Sequence, residues 1–331
     1  MSCCKACLKP IVGKTRHKGY HDQCLIALFG SLEVDPVLPF TSNGFYQQRG
    51  TYSQGMSISG AQAKLSAKVD KNRVELTRAE GIIILKPSPP EYPELACNEH
   101  LSMNIARLFN IDVPPLALLQ FGDMGEHCYA IHRFDRDTKT GKVTCQIEDM
   151  MQIMNIHREN DGSKYTSDYV TLGQSVKNAT NNKSAPIRNY FNRLVHSFVV
   201  GNGDLHLKNI SLIKSVTDTS RFYKGLSPHY DVVNSHLYDS NEHTFAIDLL
   251  PKDKIPRGLR ELGFETGLDL KELGAELEMP KVIITRIIQA AVKLEPQIMG
   301  MINRSYLSQD MKVEYAKIVA DRLKRLARKS I

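Results

Sequence analysis

No apolar run in the 331 residues approaches the ~18 needed to cross a bilayer, which excludes a membrane-spanning helix. The amino terminus, Met-Ser-Cys-Cys-Lys, carries no basic segment leading into an apolar stretch, so no secretory signal is expected and the cytoplasm is the expected compartment. There is no phosphate-binding P-loop either. Gly13-Lys14-Thr15 would need glycine at position 8, where Leu8 stands. Internal repeats and low-complexity tracts are absent. Neither sign of charge dominates: 43 Lys and Arg against 36 Asp and Glu leave +7, which permits a polyanionic partner without requiring one. A disulfide framework is excluded by an odd count of seven cysteines, four of them (Cys3, Cys4, Cys7, Cys24) in the first 24 residues.

What is there begins with those cysteines. Cys4-x-x-Cys7 followed by His21-x-x-Cys24 offers three thiolates and one imidazole in two tight pairs, the set a tetrahedral structural Zn²⁺ prefers; the plainer reading is a redox-inert thiol cluster. With 42% hydrophobic and 24% charged residues the chain has an ordinary globular composition, and its length predicts two domains or two lobes. Residues 36 to 50 read as turn-rich. Residues 58 to 69, 73 to 77 and 82 to 86 then read as short antiparallel strands. A helix is expected over 94 to 109, ended by Pro114 and Pro115, followed by a strand pair at 116 to 121 and 128 to 134. Helical spacing dominates the second half, at 187 to 198, 282 to 291 and 313 to 326, with a polar surface loop over 174 to 186. The fold class is therefore α+β, bilobal, with a small β-rich amino-terminal lobe and a larger all-α carboxyl-terminal lobe. The boundaries are a Cys/His segment at 1–30, the first lobe at 31–135 and the second at 136–331, hinged at Asp135-Arg136-Asp137.

The strongest chemical signal is Gly201-Asn202-Gly203-Asp204-Leu205-His206-Leu207-Lys208-Asn209, since Asp-x-His-x-x-Asn is expected by chance only about 0.03 times in a chain of this composition. Phosphoryl transfer needs a carboxylate to orient or deprotonate the attacking hydroxyl and an oxygen ligand to hold Mg²⁺ over the phosphates. Asp204 and Asn209 have that spacing, and Asp231 in Tyr230-Asp231-Val232-Val233 supplies a second metal-binding carboxylate. Such chemistry also needs a strand lysine to pair the phosphates and a helix glutamate to hold it. Lys86 ends the Ile-Ile-Ile-Leu strand, with Glu99 or Glu94 as its partner; alone, Lys86 would read as a solvent-exposed strand end. Gly55 to Lys64 is a candidate phosphate-covering turn, although a plain hairpin turn fits it too.

Together these segments resemble the HipA family of serine/threonine kinases, the toxins of HipA/HipB toxin–antitoxin systems. The resemblance rests on Ser57-Ile-Ser-Gly-Ala-Gln-Ala-Lys64, Ile84-Leu-Lys-Pro87, Asn98-Glu-His100, Arg133-Phe-Asp-Arg136, Glu148-Asp-Met-Met-Gln152, Gly201 to Asn209 and Tyr230-Asp231, in the family's order. It implies ATP and Mg²⁺ as cofactors, Asp204 as catalytic carboxylate, and Asn209 and Asp231 as Mg²⁺ ligands. It implies ATP contacts from Lys86, Lys64, Gly60, Ala61, Gln62 and Glu99, adenine at the backbone of His132 to Phe134, and His206 beside the nucleotide. The chain is similar to the short form, the HipT of three-gene HipBST systems, which lacks a subdomain supplied by a separate small protein, HipS. That likeness implies autophosphorylation at Ser57 and Ser59, a HipS-like antitoxin, a DNA-binding HipB-like partner through which alone DNA is met, and an aminoacyl-tRNA synthetase as substrate, tryptophanyl in the short form. A phosphoserine in the phosphate loop would place about −1.5 to −2 charge where triphosphate must bind. The Cys/His pairs and the long interval from Asn209 to Asp231 depart from the short form.

Two other functions fit parts of the sequence. Small-molecule phosphotransferases of the aminoglycoside or choline kinase type also carry Asp, His and Asn in their catalytic loops. A zinc-containing nucleic-acid-binding module would use the Cys/His pairs and the basic tail 322–329, although Leu323, Leu326 and Ala327 make that tail an amphipathic helix with a solvated basic face.

Overall fold

The β-branched run before Lys86 is too short for a helix and forms a strand, β4 (Ile83–Pro87), buried at four of its five positions. In the computed structural model, residues 2–52, 62–122, 125–157 and 160–330 are described. They fall into two units. The first comprises Met1–Asn104, Val113–Cys145 and Arg304–Leu307; the second comprises Ile105–Asp112, Gln146–Asn303 and Ser308–Ile331.

The first unit is built on a six-stranded sheet that also holds β1 (Val37–Leu38), β2 (Leu65–Asp70), β3 (Arg73–Leu76), β5 (Leu116–Phe121) and β6 (His127–His132), in the order β1-β5-β6-β4-β2-β3. All its pairs are antiparallel except β1 with β5. Helix α1 (Asp22–Phe29) precedes β1, α2 (Ser42–Tyr52) lies between β1 and β2, and Leu25, Leu28, Phe45, Leu65, Leu85, Leu119 and Phe121 share one core with Cys4 and Ala6. The expected turns over 36 to 50 are thus largely helix. Thr41 Oγ1 accepts from the Gly44 amide at 2.9 Å and caps the start of α2, and Phe45 buries beneath it. Helix α3 (Leu95–Leu108) begins after Glu94, whose φ is 58°, and its end is marked by Asn110 at φ 55° ahead of the two prolines.

The second unit carries α4 (Met150–Ile153), α5 (Tyr169–Ala179), α6 (Ser184–Val200), α7 (Arg257–Leu262), α8 (Gly267–Glu276), α9 (Lys281–Lys293), α10 (Glu295–Arg304) and α11 (Gln309–Leu326). Helix α6 is buried on nearly every face from Ile187 to Val200, as expected of a central helix. Two expectations fail here. The unit is not all-α: β7 (Cys145–Asp149), β8 (Ser211–Ser215) and β9 (Gly225–Leu226) form a three-stranded sheet, because the chain leaving the Asp204 loop is extended and buries Ser211 and Leu212. The β8–β9 hairpin fills the long interval between Asn209 and Asp231. The polar stretch 174 to 186 is no long loop, since its first half completes α5 with polar residues on the solvated face. Only Thr180 to Lys183 turn the chain, through left-handed Asn181 and Asn182. No helix among the described residues is long and apolar enough to cross a membrane.

Histidines held neutral by partial or full burial make stability sensitive to acid. Burial lowers His127 and His236 to about 4, the latter aided by the Arg322 and Arg325 guanidiniums, and pushes His229 well below its ordinary value. Unfolded, each titrates near 6.5, so between pH 6.5 and 4 the unfolded chain binds protons that the folded chain refuses. Stability is complete above pH 6.5 and falls as the pH drops towards 4, by on the order of 1 kcal/mol per pH unit per fully buried histidine. Urea midpoints at pH 7.5 and 5.5 measure this; equal midpoints would contradict it.

Candidate active site

Lys86 lies at the end of β4 opposite Tyr129 on β6, and its Nζ stands 5.9 Å from that ring's centroid. It donates to Glu99 Oε1 at 2.7 Å, with the two side chains 9% and 0% exposed. Of the two candidate glutamates, Glu99 is therefore the lysine's partner, one turn into α3. A charge pair this dry is shielded from salt and holds the ammonium in one place. Gln62, from the candidate phosphate turn, donates its amide to the Pro87 carbonyl at 2.9 Å, and half-buried Lys64 directly precedes β2. Ser57, Ser59, Gly60 and Ala61 lie outside the described residues.

At the end of β6 the amides of His132 and Arg133 already donate to the carbonyls of Pro115 and Ile82. The His132 ring is buried against Thr138 Oγ1 at 3.1 Å, and burial lowers its pKa.

In the second unit, α6 stops at Gly201, whose left-handed φ of 71° turns the chain into the Asp204 loop. A Cβ there would sit 2.8 Å from Asn234 Oδ1, so only glycine fits both the angle and the space. The loop is held by hydrogen bonds from the Gly203 amide to Ser235 Oγ (2.9 Å), from the Asp204 amide to Asn202 Oδ1 (3.1 Å) and from the Tyr169 hydroxyl to the Leu205 carbonyl (2.8 Å). Asn209 is buried and donates its amide to the Asp204 carbonyl at 2.9 Å, which ties the two ends of the Asp-x-His-x-x-Asn segment together. His206 is buried, with Nε2 3.9 Å from Asp204 Oδ1; burial lowers its pKa while the Asp204 and Asp231 charges oppose the shift. The imidazole is neutral at pH 7 and lies within electrostatic reach of both carboxylates. Asp231 has a left-handed φ of 60°, and the adjacent Tyr230 hydroxyl bonds the Lys208 carbonyl at 3.0 Å and the Ser211 hydroxyl, fixing this segment against the loop. The capping box between Asp149 and Gln152 starts α4, whose Met150 amide donates to the Ile210 carbonyl. A carboxylate at Asp231 and a carboxamide oxygen at Asn209 make the hard oxygen donor set that suits Mg²⁺.

Two residues here were missed from the sequence. Tyr165 donates its hydroxyl to Asp204 Oδ1 at 2.9 Å and sets its ring edge-on to His206, 5.4 Å between centroids. Glu242 packs against Gly203, where a Cβ would come within 2.7 Å of its carboxyl carbon; burial raises its pKa. Neither shares a periodicity or motif with the loop it touches, although the buried Ser163 two residues before Tyr165 marks an ordered segment. Tyr165→Phe should lower kcat by about 2- to 10-fold, the worth of one solvent-accessible hydrogen bond, in a steady-state phosphotransfer assay. Gly203→Ala should push Glu242 away from the loop and cost at least as much.

The Cys4, Cys7 and Cys24 sulfurs and a His21 ring nitrogen all lie within 4.8 Å of one another, the only metal-competent cluster of three or more His, Cys, Asp or Glu side chains among the described residues.

The HipA-like C-terminal domain matches residues 56–295 of this chain. A Haemophilus influenzae protein named as a kinase is 32% identical over 326 residues, covering 93% of this chain and 93% of its own. HipA of Shewanella oneidensis MR-1, solved with HipB and its operator DNA, superposes with a TM-score of 0.63 at 19% identity over 87% of this chain and 71% of that one. The Helicobacter pylori proinflammatory kinase CtkA superposes at 0.53 and 15% identity, over 83% of this chain and 92% of its own. At such identities the two solved structures speak to the fold alone.

Proposed function

The chain belongs to the HipA-like C-terminal domain family, and from that premise we propose that it is a toxin kinase that transfers the γ-phosphoryl group of ATP to a serine or threonine of a cellular protein. The observation that carries the reading is the buried Lys86–Glu99 pair, present in the same chain as the tied Asp204-to-Asn209 loop. A dry, oriented ammonium suits nucleotide phosphates, and an exposed carboxylate on a rigid loop suits an incoming hydroxyl. In this reading residues 31–135 form the nucleotide-binding lobe and 136–331 the catalytic lobe. Asp204 orients and deprotonates the substrate hydroxyl, with Tyr165 steadying it. Asn209 and Asp231 would hold Mg²⁺, which when bound neutralises phosphate charge. His206, neutral and buried, shapes the site beside the nucleotide.

The reading extends to the short form of the family, with Ser57 and Ser59 as autophosphorylation sites, an aminoacyl-tRNA synthetase as target and the cytoplasm as compartment. Its partners are a HipS-like antitoxin and, as the Shewanella neighbour has HipB, a DNA-binding protein that meets DNA on its behalf. The test is to incubate the purified chain with γ-labelled ATP, Mg²⁺ and a cell lysate. A labelled protein band supports the reading. A labelled metabolite would move the chain to the aminoglycoside or choline kinase type, and no label in either fraction would overturn phosphotransfer altogether.

A further inference from the structure

The Cys/His cluster lies outside the residues proposed for phosphoryl transfer, yet it is held by a dense set of hydrogen bonds. The first pair sits on a tight turn: the Leu8 amide donates to the Cys4 carbonyl at 2.9 Å, the Cys4 amide to the Lys9 carbonyl at 2.9 Å, and Leu8 takes a left-handed φ of 58°. The second pair begins α1, with the Cys24 amide donating to the His21 carbonyl at 3.0 Å. Two backbone amides, Ala6 and His21, point at Cys4 Sγ from 3.4 and 3.3 Å. Amides aimed at a sulfur favour its thiolate, the form that ligates metal.

His21 is oriented in the same sense. Its Nδ1 faces Cys7 Sγ at 3.3 Å, while Nε2 bonds the Pro10 carbonyl at 3.2 Å. A ligating histidine characteristically gives its other ring N–H to a carbonyl in this way, which fixes tautomer and ring plane. A tetrahedron with Zn–S near 2.3 Å and Zn–N near 2.0 Å separates its sulfurs by roughly 3.8 Å and its nitrogen from each sulfur by roughly 3.5 Å. The observed spread, all within 4.8 Å, needs only a small contraction, and the Cys7 to His21 separation of 3.3 Å is already within about 0.2 Å of the tetrahedral value. Cys3 is adjacent in sequence but outside the set.

We infer that Cys4, Cys7, His21 and Cys24 bind one Zn²⁺ as a closed structural site that clamps the amino-terminal segment onto the sheet and helix of the first unit. Three thiolates and a neutral imidazole complete the coordination, so binding releases the thiol protons and leaves no open position for a reactive water. The clamp has definite attachment points. The Ala6 carbonyl, inside the Cys4 to Cys7 turn, is bonded by His100 Nε2 (3.1 Å) and Asn104 Nδ2 (3.0 Å), both on the helix that carries Glu99. The Leu118 amide donates to the Lys5 carbonyl at 2.8 Å, the Tyr20 hydroxyl to the Leu118 carbonyl at 2.6 Å, and Arg304 Nε to the Leu8 carbonyl at 2.9 Å. A metal that tightens this turn therefore braces α3 and β5 together.

The experiment is metal analysis of the full-length purified chain, followed by replacement with Co²⁺. About one zinc per chain is expected, and the cobalt form should show the intense thiolate charge-transfer and tetrahedral d–d absorption of a Cys₃His site. Cys24→Ser should lose most of the metal and His21→Cys should retain it with a shifted cobalt spectrum, while Cys3→Ser should match the parent. Chelation should lower the thermal midpoint of the parent chain and leave that of Cys24→Ser unmoved, a comparison valid whether or not the chain is a kinase. Metal far below one equivalent, equal loss in Cys3→Ser and Cys24→Ser, or a disulfide among the four residues in the chain as purified would overturn the assignment.

Discussion

Asp204→Asn should lower phosphotransfer by about 10²- to 10⁴-fold, the contribution of a positioned general base, with little change in stability. The side chain is 44% exposed and the substitution keeps its shape, so the fold should lose no more than about 0.5 kcal/mol. The Tyr165 hydroxyl can donate to an amide oxygen as it does to the carboxylate, so local geometry should persist. What disappears is the charge that draws the proton off the attacking hydroxyl. The loss should therefore fall on kcat, with the KM for ATP nearly unchanged, because nucleotide binding is assigned to other residues. Growth arrest on expression should vanish in parallel. A variant that kept both labelling and arrest would show that Asp204 is only a loop residue, and the proposed mechanism would fail with it.

The parts of this protein that were legible in its sequence are those whose physics is local. The run ending in Lys86 must be a strand, and the helix over 94 to 109 has both its spacing and its proline stop, so the ion pair followed from two elements separated by one loop. The Asp-x-His-x-x-Asn segment was equally plain, because its Asn209 to Asp204 carbonyl bond closes over five residues. The cysteine pairs were visible for the same reason. What stayed hidden depends on distant chain. Tyr165 reaches Asp204 across 39 residues, Glu242 packs on Gly203 across a similar span, and the β8–β9 hairpin occupies the interval between Asn209 and Asp231, of which only the length stood out in the sequence. The helix over residues 42 to 52 was obscured by its own glycines, with the capping Thr41 and buried Phe45 the signals that outweigh them. At the end of β6 the His132 and Arg133 amides donate to the carbonyls of Pro115 and Ile82, partners far away in the chain that no local pattern marks.

The second large effect concerns Lys86 and Glu99, where stability and function separate. Removing only the carboxylate, by Glu99→Ala, strands a buried ammonium beside the Tyr129 ring and should cost about 3 to 5 kcal/mol in urea unfolding. Lys86→Met, which leaves Glu99 buried at 0% exposure, should cost a similar amount. The double variant Lys86→Met/Glu99→Leu replaces both charges with apolar groups of comparable volume. It should be far more stable than the sum of the singles, and close to the parent, because no buried charge is left uncompensated. Phosphotransfer should not recover with it. Each of the three variants should lose about 10² to 10³-fold in kcat/KM for ATP, since the oriented ammonium that meets the phosphates is gone or unheld. A double variant that regained both stability and activity would make the pair a packing device, and additive singles would mean that the two side chains are not coupled. Stability restored with activity still absent is the outcome that a phosphate-pairing lysine requires.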